Sequence, residues 1–331
     1  MDALALHRES RVFDGHCDTL LAVVGRGEEP GRPLGERADR GHLDLPRMRE
    51  GGVGAQVFAC YVRREYRHAG AAAEVLRLLD AFYREWEANA DDLALCTTAA
   101  EIEAAWAQGK VAALLAIEGG EALEESLGTL RMFHRLGVRL LTLTWNFRNA
   151  LADGLWAARS GGGLTEFGVE VVREMNRLGM VVDVAHLAPA GVDDVLRVSE
   201  APVVASHANA RALCDHPRNL TDAQLEGIAA TGGLVGVSFV PNFIAPEGQG
   251  ASVARLADHI DHIVRVAGID HVGLGSDWDG FSAEKAQVEG LRDAADLPAL
   301  TAELCRRGYT AEEVRKVLGE NWLRVWRAVA S

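Results

Sequence analysis

Six residues able to bind a metal or move a proton sit at the ends of short apolar runs in this 331-residue chain. His16 and Asp18 follow RVFDG, Glu118 ends VAALLAIE, His186 ends MVVDVAH, His207 ends PVVASH and Asp277 ends HVGLGSD. Two residues apart on an extended chain means one face, so His16 and Asp18 aim together and Cys17 aims away. Imidazoles with carboxylates suit Zn²⁺ and similar divalent ions. Five ligands, His16, Asp18, Glu118, His186 and His207, exceed one tetrahedral site. They suit two ions sharing a bridging carboxylate, and Glu118 is the natural bridge. Any one of these residues alone reads as a partly buried polar side chain. Gathering all of them at one end is costly unless a metal or a reaction uses them.

The elements that must position this set are legible as eight apolar runs: 11–16, 53–62, 110–119, 138–145, 180–186, 202–207, 233–239 and 271–277. Short runs rich in Val, Leu and Ala read as strands buried on both faces. Periodic segments lie between them. Leu164, Phe167, Val171, Val172, Met175 and Leu178 keep helical spacing, and Gly179 ends that helix. Segments 73–88, 123–136, 189–199, 222–231 and 251–267 read similarly, and Thr310 with Glu313 predicts a capping box for a last helix to about 329. Residues 21–50 and 146–163 read as long loops. The alternation predicts a (β/α)8 barrel in one domain over 1–331, with chemistry at the C-terminal ends of the strands. A doubly wound open sheet is the alternative, but no GxGxxG is present. Gly119-Gly120 and Gly232-Gly233 lack the Lys-Ser/Thr of a phosphate loop and read as tight βα turns.

Composition narrows the function. The formal net charge of −14 disfavours nucleic acid. Five scattered cysteines without a CxxC argue against a disulfide framework and for a reducing compartment. No apolar run approaches about 20 residues, and the N-terminus lacks a signal-like pattern. The expectation is a cytoplasmic protein without membrane contact.

The stretches DGHCDTL, IEGGEAL, LTLTWNFRN, VVDVAHL, VVASHANARALCDHPRNLTD, GLVGVSF, HVGLGSDWDG and LGENWLRV resemble, in order and over about 11–327, the renal (membrane) dipeptidases of the M19 zinc peptidases. The resemblance implies a metal-dependent amidohydrolase-type barrel holding two Zn²⁺ and hydrolysing dipeptides, with D-residues accepted at the C-terminal position, and a homodimer. It implies that His16 and Asp18 hold one zinc, that His186 and His207 hold the other, and that Glu118 bridges. Asp277 matches the catalytic acid/base, and Arg218 matches the arginine that grips the substrate carboxylate. One motif departs: the family reads LTLTH where Trp145 stands here. Indole donates one hydrogen bond but neither carries charge nor titrates, so either another donor beside Trp145 meets the substrate, Asn146 or the metal itself, or the substrate differs. Asp279 reads as a turn residue, with a supporting partner of the site residues as the alternative. Two other functions stay open: an amidohydrolase acting on another small amide such as an N-acyl-D-amino acid, and a non-catalytic metal-binding barrel. A cyclic amidase with a carboxylated lysine is disfavoured, since VRLLTLTW has no lysine.

Overall fold

In a computed structural model, which describes residues 2–25, 30–282 and 287–330, the eight runs become strands of one parallel sheet. They are β1 (Val12–Cys17), β2 (Val53–Tyr61), β4 (Val111–Glu118), β5 (Val138–Thr142), β6 (Val181–Asp183), β7 (Val203–Ala205), β8 (Leu234–Val237) and β9 (Val272–Leu274). A short strand absent from the sequence reading, β3 (Leu93–Leu95), pairs with the first half of β4 on the edge that β5 takes higher up. The sheet closes because β2 pairs with both β1 and β4 while β1 pairs with β9. The result is a (β/α)8 barrel, and the open-sheet alternative is excluded.

Alternation within the strands fills the barrel. Phe13, Ala55, Val57, Ala112, Leu114, Ala116, Leu140, Val181, Val204 and Leu234 pack in one cluster with Trp322 and Trp326 of the C-terminal helix. Trp322 stacks on Phe13 at 5.6 Å and donates its indole N–H to the Leu274 carbonyl. Gly15 and Gly273 admit it: a Cβ at either would lie within 3 Å of its ring. The bottom of the barrel is therefore plugged, and the open end is the C-terminal one.

The expected helices form. Glu166–Leu178 is capped by Thr165 and ended by Gly179 at φ 70°, and it buries Val171, Val172 and Met175. The Thr310–Glu313 capping box is present, followed by Ala311–Arg315, a π-helical turn Lys316–Glu320 and Asn321–Val329. Helices Ala99–Ala107 and Leu297–Arg306 form in addition to those that the sequence predicts. The 21–50 excursion includes 26–29, outside the described residues; its described part begins and ends in short helices, Thr19–Val24 and Leu45–Glu50. Gly119-Gly120 is a βα turn as expected, but Gly232-Gly233 precedes β8 and is an αβ turn, because the helix Asp222–Ala230 ends just before it. No helix among the described residues is long and apolar enough to cross a membrane.

Candidate metal centre

The placing of His16 beside Asp18 depends on an irregularity. With Phe13 and Gly15 facing inward, strict alternation would send His16 outward. The register slips instead: Asp14 pairs with Gln56 but Cys17 with Phe58, so β1 carries one extra residue. The slip turns His16 inward and leaves Cys17 buried in the packing outside the barrel as a free thiol. Asp18 follows, its N–H held by the Trp278 carbonyl at 2.8 Å.

Glu118 continues the inward series of β4 after Ala112, Leu114 and Ala116, so it stands at the top of the barrel interior. His186 and His207 leave β6 and β7 by short turns, His186 at a left-handed φ of 66°. Such a conformation is costly for a β-substituted residue and is held by its surroundings. The distances converge on Glu118: His186 Nε2 is 2.9 Å from Oε1, His207 Nε2 3.6 Å from Oε1 and His16 Nε2 3.6 Å from Oε2. Two potential ligand groups share that carboxylate, Glu118/His186/His207 and His16/Asp18/Glu118; a third joins His16, His207 and Asp277.

Hydrogen bonds behind the imidazoles fix their tautomers. Asp183 accepts from Thr142 Oγ1, the Ala185 and Ser206 N–H groups and Ser206 Oγ. Since the Ser206 hydroxyl gives its proton to Asp183, it must accept from His207 Nδ1 at 2.8 Å. His186 Nδ1 donates to Asn146 Oδ1 at 2.8 Å. Both Nε2 atoms are then bare lone pairs, and they face each other at 2.9 Å. Neither can donate to the other, so the arrangement calls for a cation. Glu118 Oε2 and both His16 ring nitrogens are buried without a hydrogen-bond partner among the described residues. The residues present therefore fit divalent metal.

Electrostatics agree. Burial, then the charge of Arg218, pushes the His16 imidazole down to about 3. Burial likewise lowers His186 and His207, with Arg218 and the neighbouring imidazoles adding to it. Burial, reinforced by Asp18 and Asp277, raises Glu118 well above the usual carboxylate range. Neutral imidazoles are ready ligands, and a crowded carboxylate is relieved by positive charge.

Asp277 is only half-buried, unlike the other five residues of the cluster, and has φ 63°. Its N–H donates to the His16 carbonyl at 3.1 Å. Trp278 is buried against Phe239 and anchors the turn between two left-handed aspartates. Gly280 is required by close approach: a Cβ there would lie 2.1 Å from Asp277 Oδ1 and 2.6 Å from Asp18 Oδ2. Arg218 is buried rather than a surface charge. Its Nη2 donates to the His207 carbonyl at 3.1 Å, its guanidinium lies 5.3 Å from the Phe243 ring, and its Nε has no hydrogen-bond partner among the described residues. It makes no ion pair within 4.0 Å among the described residues, so donor capacity remains for an anion. Trp145 lies beside His186, ring centroids 5.7 Å apart. Asn146 is committed to His186 through Oδ1, which leaves its Nδ2 as the available donor.

Asp279 is more than a turn residue and follows the alternative reading. It does sit in a turn, at φ 62°, but its buried carboxylate accepts from Thr19 Oγ1 at 2.7 Å, Arg32 Nη2 at 2.9 Å and the His42 N–H at 2.8 Å. Burial alone would raise this carboxyl; bonding from His42 and the charge of Arg32 outweigh it and hold it low. It ties the loop that follows Asp18 to the turn that carries Asp277. The separation of some 237 to 260 residues from its partners explains why spacing could not reveal it.

A parallel barrel with a buried His/carboxylate cluster at its C-terminal mouth defines a metal-dependent hydrolase of the amidohydrolase type. The family model of the membrane dipeptidases (peptidase family M19) matches residues 1–331, and the chain belongs to that family: it is a metallo-dipeptidase. It is similar to the crystal structure of the dipeptidase AC, a metallopeptidase of family M19, at 34% identity and TM-score 0.86 over 97% of this chain and 99% of the other. It is similar at 33% identity, TM-score 0.86 and the same coverage to a metallopeptidase from Rhodobacter sphaeroides liganded with a phosphinate mimic of the dipeptide L-Ala-D-Ala. An amidohydrolase from Pseudomonas aeruginosa matches at 28% identity and TM-score 0.83 over 100% of this chain and 99% of the other.

Proposed function

We propose that the chain is a binuclear zinc dipeptidase in which His16 and Asp18 hold one ion, His186 and His207 the other, and Glu118 bridges. The observation that carries this reading is the pair of bare Nε2 atoms facing each other beside one shared carboxylate. Three site carboxylates, Asp18, Glu118 and Asp277, stand against one guanidinium, a deficit of positive charge that two divalent ions supply. Bound zinc would polarise the scissile carbonyl and acidify a water near neutral pH.

The chain's own residues do the rest. Asp277, half-exposed at the mouth, accepts the proton of the attacking water and returns it to the leaving amine. Arg218 forks onto the terminal carboxylate and so limits the substrate to two residues. Asn146 keeps His186 in register through Oδ1 and offers Nδ2 to the substrate, beside Trp145. The second residue of the substrate includes D-isomers, a reading that draws on the neighbour liganded with the L-Ala-D-Ala mimic. Five free cysteines favour a cytoplasmic site of action.

The test is steady-state kinetics on dipeptides and their C-terminal amides. Arg218→Ala should raise KM for free dipeptides by roughly 10²-fold or more while changing KM for the amides little, since a lost charge-assisted fork is worth about 3 kcal/mol. Equal effects on both would remove Arg218 from the carboxylate.

A further inference from the structure

Tyr61, Trp145, Phe147 and Trp156 form a continuous aromatic cluster at the barrel mouth. Trp145 meets Tyr61 at 5.5 Å, Phe147 at 5.5 Å and Trp156 at 5.1 Å, and Phe147 meets Trp156 at 4.7 Å. The backbone is built to bring them together. Gly154 lets its segment close on 145–147, since a Cβ there would lie 2.2 Å from the Trp145 carbonyl oxygen. The Leu155 N–H then binds the His186 carbonyl, and the Trp156 N–H binds the Asn146 carbonyl. Arg67 and Arg64 cover Phe147 at 4.0 and 5.4 Å, which fixes it from one side. Trp156 nevertheless stays 61% exposed, and Tyr61, Trp145 and Phe147 are only half-buried. Rigid rings left open beside a candidate metal ligand are an uncovered apolar surface.

Sheet order says which part of a substrate meets that surface. Tyr61 ends β2 and Trp145 follows β5, so the cluster flanks β4 and Glu118. Arg218 follows β7, across the mouth. A dipeptide whose carboxylate lies on Arg218 and whose scissile carbonyl lies over Glu118 directs its N-terminal residue toward the rings.

Resting on the dipeptidase reading, we propose that this cluster is the subsite for the side chain N-terminal to the scissile bond and that it selects large apolar and aromatic side chains. Trp145 supplies the central wall, and its uncharged indole favours apolar surface where a titrating ring would not.

The experiment measures kcat/KM of the zinc-loaded enzyme for Gly-, Leu-, Phe- and Glu-dipeptides sharing one second residue. Phe and Leu substrates should exceed Gly by about ten-fold or more, the range that apolar pockets supply. Trp145→Ala and Trp156→Ala should each reduce the Phe-to-Gly ratio several-fold, and Trp156→Phe should restore most of it. Trp156 is exposed, so its variants keep the fold testable even if Trp145→Ala does not. Equal rates across the panel, preference for Glu, or a Phe-to-Gly ratio unmoved by the Trp156 variants would overturn the subsite while leaving the dipeptidase intact. Hydrolysis of none of the dipeptides would overturn both.

Discussion

His16 stands in the site because β1 gains a residue before it, and Asp277 stands there because a glycine three positions later makes room. The residues that cluster at the mouth were legible in the sequence, since His and carboxylate at strand ends state their own chemistry. The devices that aim them were not. A strand buried on both faces gives no polar alternation from which a slip could be read, and Gly280 is explained by Asp277 beside it together with Asp18, far away in the chain. Asp279 is the strongest instance. Its buried ion pair with Arg32 joins two loops that carry Asp18 and Asp277. Asp279→Ala leaves that guanidinium without its partner, and chemical denaturation should show a loss of about 3 kcal/mol or more. kcat should fall with it while Arg218-dependent KM holds. Unchanged stability would mean that the network is not holding these loops.

At the scale of elements, all eight barrel strands were legible from apolar runs, because two-sided burial leaves a continuous signal. The missed pieces were those whose signal is weak or shared. β3 is three residues long, and Ala99–Ala107 is so alanine-rich that its apolar face does not stand out; its Thr98–Glu101 capping box was the signal available. Helices Val253–Ala267 and Leu297–Arg306 are joined by a charge cluster as well as by apolar packing: Arg307 bonds Glu303 at 2.8 Å, Asp258 at 2.8 Å, Asp261 and the Ala254 carbonyl. Hydrogen bonding from Arg306 most of all, opposed by burial and aided by Arg307, holds Glu303 at about 2. A carboxyl depressed in the folded state stabilises above its unfolded value of 4.5, and that contribution is lost as pH falls toward 2. Glu303→Gln should therefore cost about 1 kcal/mol in denaturation at pH 6. The difference from wild type should shrink through pH 4.5 to 3; a difference independent of pH would assign the effect to packing instead.

For the whole molecule, the barrel separates stability from chemistry. Trp322 and Trp326 close one end with apolar packing, while the other end collects buried histidines and carboxylates that suit bound cations. The family was legible because its motifs span the chain in order. The aromatic mouth was not, because only Trp145 broke the pattern in sequence, whereas Tyr61 and Trp156 join it through folding. The most direct measurement is a titration of metal-free protein with Zn²⁺, following bound metal and dipeptide hydrolysis together. Two ions should bind per chain, with hydrolysis rising to its maximum as the second site fills. Saturation at one ion, or hydrolysis that persists in the metal-free protein, would contradict the binuclear account.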